Sequence, residues 1–338
     1  MPTGIQPFEI LALNVLRYAD FPVATGKSGW PWVVKVPQVP RLRPDGTPWP
    51  RISIVTPSYN QGAFIEETIR SVLLQGYPNL EYIVIDGGST DETIDVIHRY
   101  EKWLTYWVSE EDRGQAHGIN KGLARTTGDL FNWINSDDLL LPGALVAIGE
   151  ANRGDEAIAG AVLNFGMNAS EIIENKNLSP ARLLAGDDDA AYHQPGVWLR
   201  PDRIAFAGGI DETLHYVFCY DICLRYLAKY PEVTYLRRNL VSFRLHDTSK
   251  TISRQSDFHR ERMIVFKKIL EDPACASLKR ICLRHLRSDA WWERLDTIVR
   301  SNDPAAIRAL TILLAMCADP SVRMSRLTLG SIRRLLFS

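Results

Sequence analysis

Four times between Arg51 and Pro142 a short β-rich run gives way to a turn and then to a stretch of helical periodicity. Parallel strands need helical crossovers of this length, so the alternation predicts an α/β domain with a mostly parallel sheet flanked by helices. Ile52-Ser53-Ile54-Val55 is the first run and stops at Thr56-Pro57-Ser58. Residues 64–75 then place Ile65, Ile69, Val72 and Leu73 on one helical face, closed by Gly76 and Pro78. Residues 80–85 make the second strand. Ser89 and Glu92 have the spacing of a capping box before a helix whose apolar face is Ile94, Ile97 and Tyr100. Residues 104–108, 115–124 and 130–134 read as strand, short helix and strand, and Pro142 opens a further helix.

In open parallel sheets, ligands bind beyond the carboxyl ends of the strands. Ser58-Tyr59-Asn60, Asp86, Glu111-Asp112 and Asp137-Asp138 each follow a strand, so four segments aim acids and amides at one edge. Adjacent carboxylates such as Asp137 and Asp138 repel and raise one another's pKa, and a divalent cation relieves that repulsion. Mn²⁺ and Mg²⁺ commonly take one or two carboxylates plus substrate phosphate oxygens, and neutralising a leaving diphosphate lowers the barrier to its departure. An isolated Asp pair could instead cap a helix. The company of Asp86 and Asp112 favours the cation. Asp86 suits a hydrogen bond from the ring N–H of a uracil or thymine, and Gly87 and Gly88 let the backbone approach closely. A simple turn is the alternative for Asp-Gly-Gly.

These segments are also where the chain resembles a known family. Thr56-Pro57-Ser58-Tyr59-Asn60, Ile85-Asp86-Gly87-Gly88-Ser89-Thr90-Asp91, Asp112-Arg113-Gly114-Gln115 with Asn120-Lys121-Gly122, and Asn135-Ser136-Asp137-Asp138 closely resemble, in order, the nucleotide-binding segments of family-two glycosyltransferases. The resemblance implies a GT-A fold and an inverting, metal-dependent transfer of sugar from a nucleotide diphosphate to a glycan or lipid-linked acceptor. UDP is the commonest donor nucleotide, with dTDP and GDP open. It further implies that Pro57, Tyr59, Asn60, Asp86, Gly87 and Ser89 hold the nucleotide, and that Asp112, Lys121, Asn135, Ser136 and Asp138 line the donor site. Asp137 takes the place of the metal-binding acid. Phe243-Arg244-Leu245-His246-Asp247-Thr248-Ser249-Lys250-Thr251 resembles a late segment, making His246 a second metal contact and Lys250 a donor contact. Imidazole is an acceptable ligand for Mn²⁺.

The expected catalytic base departs from the family pattern. The matching stretch reads Phe218-Cys219-Tyr220-Asp221-Ile222-Cys223-Leu224-Arg225, which puts Cys219 where the usual carboxylate stands. Asp221 is taken as the base, with Asp211-Glu212 nearby and Glu212 the alternative. His193-Gln194-Pro195 resembles a segment on the acceptor side. The departure at Cys219 leaves room for a non-catalytic nucleotide-sugar-binding paralogue or scaffold subunit. A nucleotidyltransferase would want a Gly-rich, Arg-containing loop near the first strand, and none is present. Dinucleotide and P-loop motifs are absent too.

Residues 1–50, with Trp30-Pro31-Trp32 and Pro48-Trp49-Pro50, read as an extended arm, 51–253 as the catalytic domain and 254–338 as a helical extension. Net charge is -1, which offers no general attraction to nucleic acid. Residues 254–338 carry 16 Lys+Arg against 9 Asp+Glu, leaving 23 against 31 in the first 253. The arginines and bulky apolar residues from Met324 to Phe337 suit either a packed helix or one lying on an anionic membrane surface. Cys219, Cys223, Cys275, Cys282 and Cys317 form no Cys-x-x-Cys pair, no secretory signal opens the chain, and no apolar run reaches the length of a membrane span. The expected location is cytoplasmic, peripheral to the inner face of the membrane where the tail makes contact.

Overall fold

The computed structural model describes residues 21–22, 26–32, 39–167, 169–246, 255–301 and 303–318. The first four strands are β1 (Ile52–Ser58), β2 (Leu80–Asp86), β3 (Tyr106–Ser109) and β4 (Leu130–Trp133), connected by α1 (Ile65–Leu73), α2 (Thr93–Tyr100) and α3 (Gln115–Leu123). All three of their pairings are parallel, in the order β3-β2-β1-β4. The register aligns Ser58 with Asp86 and Asp86 with Ser109, so the carboxyl ends of β1, β2 and β3 finish level.

Beyond β4 the sheet is mixed. It adds β5 (Leu139–Leu140), β6 (Ala157–Gly166), β7 (Ala169–Ile173), β8 (Val197–Leu199) and β9 (Val233–Arg244). β8 runs antiparallel to β4 and β6, β9 is parallel to β6, and β5 closes antiparallel on β9. The helices of this half are α4 (Ala144–Ala151), α5 (Pro180–Ala185), α6 (Pro201–Phe206) and α7 (Phe218–Lys229). Its strands come from distant segments, and β9 returns Arg244 to the edge where β4 ends.

Helices cover both faces of β1. Ile52 and Ile54 pack with Ile65 and Ile69 of α1, and with Val84, Ile97 and Tyr100, in one buried cluster. Val55 faces α3, where a Cβ on Gly122 would lie 2.5 Å from Val55 Cγ1. Removing a side chain such as Ile69 from this core would cost about 2–5 kcal/mol. The capping box expected at Ser89 and Glu92 does not form. The Ser89 hydroxyl donates to Asp86 Oδ1 at 2.5 Å, and Asp91 Oδ1 accepts the Thr93 N–H at 3.0 Å instead.

Parts of the N-terminal arm are built into this core. Phe21, Trp32 and Trp49 are buried, and the buried Arg70 of α1 donates to the Pro31 carbonyl and to the Tyr100 hydroxyl, at 3.3 and 2.9 Å. The chain divides into two compact units, Met1–Glu261 and Arg262–Ser338. The helices that follow are α8 (Gln255–Glu271), α9 (Lys279–Arg300) and α10 (Ala305–Ala318). In the second unit Trp291 and Leu295 of α9 pack against Ile312 and Ala315 of α10. Among the described residues no helix is long and apolar enough to cross a membrane.

Candidate active site

The level strand ends bring the predicted segments together. Gly87 N–H donates to the Ser58 carbonyl at 2.8 Å, and the Asn60 N–H to Ser89 Oγ at 2.7 Å, which ties the loop after β1 to the loop after β2. Asn60 sits at φ 51°, a conformation its short amide tolerates. Tyr59 stands 61% exposed at the rim, a ring free to stack on a planar ligand.

Asp112 enters from the third strand. Its Oδ1 accepts the Gly114 N–H at 2.7 Å, while Oδ2 lies where a Cβ on Gly87 or Gly118 would sit 2.9 or 3.1 Å away. A Cβ on Gly118 would also touch Pro57 at 3.7 Å. Pro57, Gly87 and Asp112 therefore share one corner, and glycine at 87 and 118 is what lets the carboxylate in. From the first turn of α3, Gln115 donates to Asn135 Oδ1 at 2.8 Å and so reaches the acidic loop after β4.

In that loop the two acids part company. Asp138 is fully buried, with its carboxylate accepting from Arg244 N–H and Asn135 Nδ2, both at 3.0 Å. Burial, with the Asp137 charge beside it, pushes the Asp138 carboxyl well above the usual range. Asp138 was expected to line the donor site; it shapes the loop from behind instead. Asp137 turns the other way, and its Oδ2 lies 3.0 Å from His246 Nε2, each side chain about one-fifth exposed. Among the described residues no cluster of three or more His, Cys, Asp or Glu could hold a metal alone. A carboxylate and an imidazole converging on one point do fit Mn²⁺ that takes its other ligands from a diphosphate.

Two other expectations change. Asp86 is fully buried, and its carboxylate already accepts from Gly88 N–H, Ser89 N–H, Ser89 Oγ and Ser109 Oγ at 2.5–3.0 Å. Three of these bonds fall on Oδ2 and one on Oδ1, so the carboxylate organises the loop after β2 from within. Lys121 is engaged as well, pairing at 2.8 Å with Glu110, the residue that follows β3. Ser136 is buried, and Lys250 lies outside the described residues.

The base assignment is also corrected. Asp221 is 1% exposed and grips Arg225 one turn on, accepting from Nε at 3.0 Å and Nη2 at 2.5 Å. Arg225 in turn donates to the carbonyls of Ala207 and Gly209. Such a carboxylate fastens α7 to the 207–209 turn and has no path to an acceptor hydroxyl. The Cys219 thiol, pushed up to about 11 by desolvation, is held protonated at neutral pH. Glu212, named as the alternative, stands against Asn120 of α3 and Arg113 of the loop before it. It accepts from Asn120 Nδ2 at 2.9 Å and pairs with Arg113 at 2.5 Å. The Asn120 hydrogen bond first, then Arg113, hold its carboxyl below the usual range despite partial burial. Its loop is held by Glu261 of α8, whose carboxylate accepts three successive N–H groups, from His215, Tyr216 and Val217, at 2.7–3.1 Å.

Sequence reasoning did not single out Glu67, Arg244, Asn120 and Glu261 as site residues. Two of them carried a local signal, Arg244 two positions before His246 in the Arg-x-His segment and Asn120 in Asn120-Lys121-Gly122.

Comparison with known proteins bears on this arrangement. Residues 53–197 match the model of "Glycosyl transferase family 2". A putative teichuronic acid biosynthesis glycosyltransferase, TuaG of Bacillus subtilis, is 42% identical over 96 residues, covering 27% of this chain and 38% of that protein. This chain thus spans well under two thirds of that relative. TarS 1–349 of S. aureus, solved in complex with UDP-GlcNAc, has a TM-score of 0.53 at 16% identity, over 69% of this chain and 70% of that one. The mannosyltransferase PcManGT of Pyrobaculum calidifontis, solved with GDP-Man and Mn²⁺, gives 0.53 at 17% identity, over 88% and 90%. At that identity the two structures show a shared fold, an α/β sheet of the GT-A type.

Proposed function

We propose, from the match of residues 53–197 to the glycosyl transferase family 2 model, that this chain moves a sugar from a nucleoside diphosphate to an acceptor hydroxyl, inverting the anomeric carbon. The observation that carries the reading is the convergence of Asp137 and His246, 3.0 Å apart, on the edge where Pro57, Gly87, Asp112 and Asn135 also gather. Asp137 and His246 would hold Mn²⁺ or Mg²⁺, which when bound neutralises the departing diphosphate. Tyr59, Pro57 and Asp112 would receive the nucleoside, with Tyr59 stacking on the base and the Gly87 gap leaving the Asp112 carboxylate within reach of it.

Glu212 is the base in this reading. Asn120 and Arg113 fix its direction and keep it ionised at neutral pH, the state required to take a proton from the acceptor. The neighbours solved with UDP-GlcNAc and GDP-Man make both nucleotides reasonable donors to screen, UDP first. The acceptor we propose is a glycan or lipid-linked glycan of the kind an envelope polysaccharide pathway elongates, as the name of the Bacillus relative suggests. A cytoplasmic site at the membrane surface suits such an acceptor. Ile307, Leu310, Leu313 and Leu314 expose an apolar face of α10 that fits a lipid surface. The experiment is release of nucleoside diphosphate from UDP- and GDP-sugars, compared between wild type and Glu212→Gln. A loss of about 10²–10⁴-fold in turnover with donor affinity kept is expected, and equal turnover would remove Glu212 from the mechanism.

A further inference from the structure

The acidic loop is held from behind by groups that the transfer reaction does not call on. Arg244, at the end of β9, donates from Nε to the Asp137 carbonyl and from its own N–H to Asp138 Oδ1, both at 3.0 Å. Thr68 Oγ1 of α1 donates to the Asp138 carbonyl at 2.8 Å, and Ser71 Oγ accepts the Leu140 N–H at 3.0 Å. The rings of Phe64 and Phe165 lie 5.1 and 4.6 Å from the Arg244 guanidinium carbon.

Two indoles of the N-terminal arm complete this support. Trp30 Nε1 donates to the Leu140 carbonyl at 2.8 Å, across 110 residues of sequence. Trp32 Nε1 donates to Glu67 Oε1 at 3.3 Å, and the other oxygen of Glu67 forms the ion pair with Arg244. One tryptophan thus reaches the far end of the acidic loop directly, and the other reaches its centre through Glu67 and Arg244. With the carbonyls of residues 137, 138 and 140 all accepting hydrogen bonds, the loop backbone has little freedom, and the Asp137 carboxylate is left directed at His246.

We propose that Trp30 and Trp32 are positioning residues for the cation site: the arm braces the 137–140 loop so that Asp137 meets its ligand already placed. The inference rests on the reading of Asp137 and His246 as the cation pair, and it goes beyond that reading by making the arm part of the site. An arm that merely covered the core would need apolar contact alone. The lost freedom of the loop is instead a preorganisation term, which appears as tighter cation binding.

The test uses the full-length chain carrying Trp30→Phe and Trp32→Phe together, with Trp49→Phe as the control. Trp49 is an arm tryptophan as buried as Trp32, but its indole donates to the Pro40 carbonyl at 2.8 Å instead of to the 137–140 loop or Glu67. Amide hydrogen exchange of residues 136–141 is measured on the metal-free proteins, and Mn²⁺ binding is measured separately in the presence of UDP. The double variant is expected to exchange faster in that segment and to bind Mn²⁺ more weakly, by about 10- to 30-fold, the factor two ordinary hydrogen bonds supply. Trp49→Phe should leave both near wild type. Unchanged loop exchange in the double variant overturns the proposal, and so does an equal effect from Trp49→Phe, which would mean general loosening of the core. Should wild type bind no Mn²⁺ with UDP while the loop still loosens selectively, the bracing stands and the cation assignment falls.

Discussion

Replacing Asp221 by Ala separates a fastening carboxylate from a catalytic one, and the structure sets the size of the effect. The variant removes the partner of Arg225 in a pair whose side chains are 2% and 17% exposed. Breaking a buried pair by deleting one member costs about 3–5 kcal/mol, because the remaining charge stays desolvated. Arg225 keeps the carbonyls of Ala207 and Gly209 and some contact with water, which puts the expected loss near the lower end, about 3 kcal/mol. For a unit of 261 residues each kcal/mol corresponds to roughly 2–4 °C, so the melting temperature should fall by roughly 6–12 °C. The assay pairs a thermal melt with turnover measured well below the melt. Turnover per folded molecule should stay within a few-fold of wild type. An unchanged melt together with a hundredfold loss of turnover would refute the argument and restore Asp221 as the base.

Three further outcomes follow from named contacts. Gly87→Ala sets a methyl 2.9 Å from Asp112 Oδ2, so the carboxylate must move; donor affinity should weaken on the order of tenfold with the melt little changed, and unaltered titration would remove Asp112 from the donor contacts. His193 has its imidazole lowered by burial from 6.5 to about 4, so the unfolded chain binds the proton first and stability is lost as pH falls through that window; His193→Phe should flatten a loss of up to about 3 kcal/mol between pH 7 and pH 4, and identical pH profiles would contradict this. Leu310→Glu with Leu314→Glu, on residues 56% and 62% exposed, should reduce sedimentation with anionic liposomes, and equal sedimentation of both proteins would end the membrane reading of α10.

Much of the parallel half was legible because its information is local. β1 to β4 announce themselves by apolar runs that stop at polar clusters, and the topology of βα units then places those clusters on one edge. The mixed half was not legible: β8 has three residues, and β9 pairs with strands far away in sequence, so no periodic signal marks their register. The gathering of those polar clusters at one sheet edge was legible, and the direction each side chain takes there was not. A carboxylate after a strand can turn to a distant side chain, as Asp137 does to His246, or to its own loop, as Asp86 and Asp138 do, and sequence does not distinguish the two. Asp221 is different: it was read as the base, although a spacing of four from Arg225 on a helix is the pattern of an ion pair. The contribution of the arm had no local mark, because Trp30 and Leu140 meet only in three dimensions.

The central claim, a cation pair at Asp137 and His246 serving diphosphate departure, is tested most directly by nucleoside diphosphate release from a sugar nucleotide with Mn²⁺ and with chelator, in wild type and Asp137→Ala. The account predicts release by wild type that chelator abolishes and Mn²⁺ restores, and none above background from a variant that melts within a few degrees of wild type. Equal release from a folded Asp137→Ala protein, or release from wild type that chelator leaves untouched, would contradict it.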